Sequence, residues 1–160
     1  MTVLSITPCL WFNGNAEEAA TFYCSLFKDS HINAVSHYGP DAPLPEGTVL
    51  TIDFVLAGRS FQILNGGPHY QLSEAFSLSI SVEGQDEVDR LWEALLADGG
   101  EPSQCGWLTD RFGVSWQVVP TRFMELMSDP DPERAGRVMG AMMQMGKLDI
   151  AALEAAADGR

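Results

Sequence analysis

Basic residues are scarce in this chain. Nine lysines and arginines stand against 22 aspartates and glutamates, leaving a formal net charge of −13 over 160 residues. Such a surface repels phosphate backbones, which excludes nucleic acid as an expected partner. The acidic residues are scattered rather than run together, so they read as a solvated surface and not as an interaction tail. Long apolar runs are also missing. None approaches the roughly 20 residues a membrane-spanning helix needs, so no membrane partner is expected. The opening Met1-Thr2-Val3-Leu4 has neither the basic lead nor the apolar stretch of a secretory signal, and a cytoplasmic location is the expectation. Cysteine is limited to Cys9, Cys24 and Cys105, which form no C-x-x-C pair and no zinc-finger spacing. Reduced thiols are expected.

What is present is a globular composition, 46% hydrophobic and 19% charged, long enough for one good core. A strand over residues 6–12 runs into the Asn13-Gly14 turn. Ala16, Ala19, Ala20, Tyr23, Leu26 and Phe27 then recur at helical spacing. Asn15 followed by Glu18 fits a capping box at the start of that helix. A second strand spans 32–38, a Pro/Gly-rich loop covers 39–47, and strands over 49–56 and 60–64 follow. The last of these ends in Asn65-Gly66-Gly67-Pro68, a strong turn signal.

The second half opens the same way. Residues 76–82 alternate apolar and polar without a break, as a strand with one buried apolar face does. Val88, Leu91, Trp92, Leu95 and Leu96 form one face of a helix that Gly99 stops. Less regular strand signals cover 104–108 and 114–119. Past Pro120 the pattern turns helical, with Asp131-Pro132 as a helix start and a further helix after Asp149. Ala135, Val138, Met139, Met142 and Met145 make an apolar stripe, to be read as core or dimer contact. The chain thus repeats a unit of strand, helix and strands. The expected organisation is one α+β domain, with a first module over 1–68, a second over 73–120 and a helical extension over 121–160.

Searches for other chemistry are negative. Ser115 is not in a G-x-S-x-G elbow, because Gln117 stands where the second glycine belongs. There is no P-loop, and Asn65-Gly66-Gly67 leads into proline rather than a nucleotide-binding helix.

The segment Pro8-Cys9-Leu10-Trp11-Phe12, with Ala19, Phe22-Tyr23 and Leu26-Phe27, resembles the opening of vicinal-oxygen-chelate, or glyoxalase-like, proteins. Residues 65–68, Ser103-Gln104-Cys105-Gly106-Trp107-Leu108 and the block from Arg111 to Pro120 resemble its PhnB-like branch, which often carries the label demethylubiquinone methyltransferase. The resemblance implies paired βαβββ modules, each a curved sheet around a cleft, and commonly a homodimer. It also implies metal-ligand positions on cleft-facing strands, which fall here on Pro8, Ser77 and Gln117, with Gln62 as a fourth. Pro8 has no ligating side chain, Ser77 is a weak ligand, and the two glutamines add no charge. No tightly bound metal and no cofactor is therefore expected. A true methyltransferase would need a dinucleotide-type cofactor site that this strand order does not supply.

His31 and His37 lie about 20 Å apart along one strand and cannot share an ion. His69, after the Gly-Gly-Pro turn, sits on a loop or a cleft rim. If Phe76, Leu78, Ile80 and Val82 pack on the second helix, Ser77, Ser79 and Ser81 face the cleft. Gln62 and Gln117 would add neutral amides. Cys105, next to Gln104, is a packed cysteine or a nucleophile, and no neighbouring His or Lys activates it. Trp11 and Trp107 are cleft walls or core. Two functions stay open: a protein that binds a small molecule in its cleft, or a metal-assisted enzyme acting on a small oxygenated substrate.

Overall fold

The computed structural model describes residues 5–160. The chain divides into two compact units, one ending at Leu72 and the other running from Ser73 to Arg160. Residues 1–4, read above for a secretory signal, lie outside the described residues.

In the first unit β1 (Cys9–Phe12) leads into α1 (Ala16–Leu26), followed by β2 (His31–His37), β3 (Val49–Leu56) and β4 (Arg59–Asn65). The sheet order is β1-β4-β3-β2, with β1 parallel to β4 and the other pairs antiparallel. Alternation decides what is buried. Leu10, Phe12, Ile52, Phe54, Leu56 and Ile63 point one way and are covered by Ala16, Ala19, Ala20 and Tyr23 of α1. The β3–β4 hairpin turns on Ala57 and Gly58, both at positive φ (46° and 76°), as a two-residue turn matching strand twist requires.

The capping box expected at α1 is not built as read. Asn15 occupies the cap position, but its side chain makes no capping bond. Asn65 does that work from β4: its Oδ1 accepts from the N–H groups of Gly14 (3.1 Å) and Ala16 (3.3 Å). The first strand is also shorter than read, and Ile6 is fully exposed ahead of it.

The second unit repeats the plan. β5 (Ser77–Val82) leads into α2 (Gln85–Leu96), then β6 (Glu101–Pro102), β7 (Trp107–Thr109) and β8 (Ser115–Pro120), in the order β5-β8-β7-β6. Again the first strand runs parallel to the last, here β5 to β8. The fold is the expected one: α+β, with paired βαβββ modules and C-terminal helices. Val88, Leu91, Trp92 and Leu95 of α2 are buried, as are Val82, Leu108, Trp116 and Val118 of the sheet. Two details differ from the sequence reading. Phe76 lies outside β5 and is half exposed. Residues 104–106 form a turn rather than a strand, with Cys105 and Gly106 both at positive φ (62° and 81°).

Three helices complete this unit: α3 (Thr121–Met127), α4 (Pro132–Met142) and α5 (Ile150–Ala157). α3 follows β8 directly, at the change of pattern past Pro120, although the sequence reading names no separate helix there. α4 and α5 start as expected, with Asp131 and Asp149 each accepting a first-turn N–H at 2.9 Å. They enclose a second apolar cluster of Leu126, Val138, Met142, Leu148, Leu153 and Ala157.

Candidate functional site

The face of the second sheet opposite α2 carries the odd-numbered residues of its strands. Register fixes them in rows: Ser77 beside Ser115 beside Thr109, then Ser79 beside Gln117 beside Trp107, then Ser81 beside Val119. The first row is hydroxyls only. The Gln117 Nε2 donates to Ser77 Oγ at 2.9 Å, which fixes the amide and turns its Oε1 to other acceptor duty.

A pocket of about 390 Å³ opens on these rows. Its sheet side is Ser79, Ser81, Trp107, Gln117 and Val119, joined by Cys105 from the turn before β7. Its other side is Phe123 and Met124 of α3, Met142 of α4 and Leu148 from the α4–α5 connection. Ten residues line it, and none is an Asp, Glu, Lys, Arg or His. One wall is thus polar but neutral, and the other is apolar.

The model of the family described as 3-demethylubiquinone-9 3-methyltransferase matches residues 4–119. The chain belongs to this family. Among solved structures, a PhnB protein from Bacillus cereus with the same methyltransferase description is 35% identical. It superposes with a TM-score of 0.66 over 72% of this chain and 98% of its own. A protein from Pseudomonas aeruginosa is 29% identical, with a TM-score of 0.60 over 74% of this chain and 98% of its own. A search of curated proteins finds no match. The family match stops at Val119, so α3, α4 and α5 lie outside it.

Of the residues singled out in the sequence, the pocket gathers Ser79, Cys105, Trp107 and Gln117, and Ser77 joins through its bond to Gln117. Gln104 does not line it. Its side chain is exposed and its carbonyl accepts from the Trp107 N–H at 3.1 Å, which closes the turn. The other three belong to the first unit. There Trp11 Nε1 donates to the Gly67 carbonyl at 2.8 Å, and its ring meets Tyr70 edge-on at 4.9 Å. Gln62 Nε2 donates to Asp53 Oδ1 at 2.7 Å, and His69 is exposed on the loop after Pro68. Phe123, Met124 and Leu148 were not picked out from the sequence. The spacing of Phe123, Leu126 and Met127 was the available signal for α3.

The donor positions implied by the family do not suit a tightly held transition metal. Pro8 offers only a carbonyl, which accepts from Gln62 N at 2.9 Å, and the Gln62 amide is turned to Asp53. In the second unit the pair is a serine hydroxyl and a glutamine amide bonded to each other. Among the described residues no three His, Cys, Asp or Glu side chains come together as a metal site would require.

Cys9 lies across from Gln62, and Gln62 across from Asp53. Partial burial first, and the Asp53 carboxylate second, push the Cys9 thiol up. Burial does the same to Cys24. Both effects keep these sulfurs protonated and unreactive at neutral pH.

Proposed function

We propose that this chain binds a small neutral molecule, an apolar body carrying a hydroxyl or carbonyl, in the pocket of its second unit. The observation that carries this reading is the lining: a row of neutral hydrogen-bonding groups on the strands, an apolar wall of helical side chains, and no charge. A volume of about 390 Å³ is in the range of ordinary small-molecule sites. An ionised ligand would lose its hydration there and gain no counter-charge. Binding rather than turnover is favoured because no His, Lys, Asp or Glu in the lining stands as a base for the Ser79 and Ser81 hydroxyls, and the Cys105 sulfur contacts Met143 Sδ at 3.8 Å.

The family's methyltransferase name does not carry over in this reading. A methyl donor of the adenosyl type is ordinarily held where a parallel, doubly wound sheet meets a glycine-rich helix start. Both sheets here have the mixed order first-fourth-third-second. No tightly bound metal is part of the proposal, for the donor chemistry given above. A second copy of the chain is a proposed partner, and the three free cysteines suit a reducing cytoplasm. No helix among the described residues is long and apolar enough to cross a membrane.

The test compares 4-ethylphenol with 4-ethylbenzoate by calorimetry. The neutral phenol binds and the carboxylate does not, and Gln117→Ala weakens the phenol about 3- to 10-fold, the value of one or two neutral hydrogen bonds. Equal or tighter binding of the benzoate overturns the reading.

A further inference from the structure

We infer that the helical extension sets the length of ligand this pocket accepts, with Leu148 as a fixed stop and Met124 and Met142 as the adjustable part of the wall. The inference rests on the binding site proposed above and deepens it.

Everything on the apolar side of the pocket comes from beyond the family match. That match ends at Val119, while Phe123, Met124, Met142 and Leu148 all follow it. The family model spans the polar strand face and stops short of this wall. What this chain adds beyond the family match therefore falls on the side of the site that meets the apolar end of a ligand.

The wall is bolted to the sheet rather than laid over it. The N–H groups of Cys105 and Gly106 donate to the carbonyls of Met145 and Gly146, both at 2.7 Å. Two residues on, Gln85 of α2 grips the chain twice: its Nε2 donates to the Leu148 carbonyl at 3.1 Å and its Oε1 accepts from Ile150 N at 2.9 Å. Lys147 pairs with Asp89 of the same helix at 2.6 Å. Leu148, between these ties, is 1% exposed. It seats against Gly106, where an added Cβ would come within 3.2 Å of the Leu148 Cγ. Such a residue cannot swing away, so it ends the pocket. The methionines differ. Met142 is nearly buried and Met124 is 55% exposed, and both are unbranched side chains that adapt to what they touch.

A homologous series of 4-alkylphenols, methyl to octyl, measured by calorimetry reads the wall directly. In the unaltered protein affinity rises about fourfold for each buried methylene. It falls at least tenfold at the first homologue that reaches Leu148. Met142→Ala moves the best homologue at least one carbon longer. Met124→Trp, at an exposed position that leaves the core untouched, moves it at least one carbon shorter. The inference fails if affinity climbs through octyl without a turning point, or if all folded variants prefer the same homologue. If no homologue binds the unaltered protein, the binding reading itself falls, and this inference falls with it. Thermal unfolding of Met142→Ala separates a lost fold from an enlarged pocket, and the Met124 variant decides the matter if Met142→Ala does not fold.

Discussion

At the scale of single residues, the segments that mark the family turn out to be structural. Asn65 is 1% exposed and joins three parts of the first unit: it caps α1 through Gly14 and Ala16, and its Nδ2 donates to the Val49 carbonyl at 3.0 Å. Gly66 lies against the Trp11 ring, so that an added Cβ would fall 2.2 Å from it. Gly67 then accepts the indole N–H. In the second unit Asp110, 3% exposed, accepts from the N–H groups of Phe112 and Val114 and from Trp116 Nε1 at 2.8 Å. Each motif therefore resolves into satisfied buried polar groups and a close approach of backbone to ring. Asn65→Ala should cost about 1–3 kcal/mol, because it strands buried donors rather than merely removing a bond. Gly66→Ala should cost a similar amount by displacing Trp11. Urea unfolding gives both values, and Gly66→Ala should also shift the tryptophan emission. Unchanged midpoints would mean the motif is kept for something other than the fold.

At the scale of elements, legibility tracked how local the signal was. The starts of α4 and α5 could be read because a capping aspartate acts on its own next turn. The start of α1 after Asn15 could also be read, but its capping bond could not, since that oxygen comes from Asn65, some fifty positions away. The turn at Cys105 read as strand because a non-glycine residue at positive φ leaves no mark in the sequence. Likewise the polar rows of the pocket followed from alternation alone, whereas its apolar wall depends on how the extension docks.

The extension also carries ion pairs, within itself and to α2, which make it acid-sensitive. Arg134 spans Asp129 at 3.0 Å and Asp158 at 3.2 Å, and Lys147 holds Asp89. All three carboxyls are held below their usual range. For Asp129 the leading cause is the Asp131 N–H, for Asp158 it is Arg160 ahead of Arg134, and for Asp89 it is Lys147 ahead of Gln85. A carboxylate whose folded pKa is depressed binds its proton more readily in the unfolded chain. Its contribution is therefore complete above about pH 4 and is lost as the pH falls through the lower folded value. Urea midpoints should hold steady from pH 7 to 5 and drop below about pH 4. Arg134→Gln should lower the plateau slightly and flatten the drop. A drop of the same steepness in the variant would remove Arg134 from the account.

At the scale of the whole molecule, the repeat was legible because both halves open with the same strand-then-helix pattern. The fate of the methionine stripe was not. Val138 and Met142 turn inward to the cluster with Leu126, Leu148 and Leu153, so most of the stripe is used within its own unit. That removes the stripe as a whole from the case for a dimer. What remains is Met139, 39% exposed, and Met143, 55% exposed, one turn apart on the outer side of α4. Edge strands add to the case, since β2 is exposed along almost its entire length and Val35 on it is 39% exposed. In a two-fold dimer each residue of the contact appears on both copies, so a double substitution on α4 alters four side chains at once. Placing lysines there would bring like charges together in an apolar contact, whereas Met142→Lys would only bury a charge in the core and unfold the unit. Light scattering at tens of micromolar should therefore give twice the 17.4 kDa chain mass for the unaltered protein. The combination Met139→Lys with Met143→Lys should return it to one chain mass with its thermal unfolding still cooperative. An unaltered protein that scatters as a single chain at that concentration would sink the dimer. A lysine variant that stays dimeric would move the contact from α4 to the β2 edge, where Val35→Lys is the corresponding substitution.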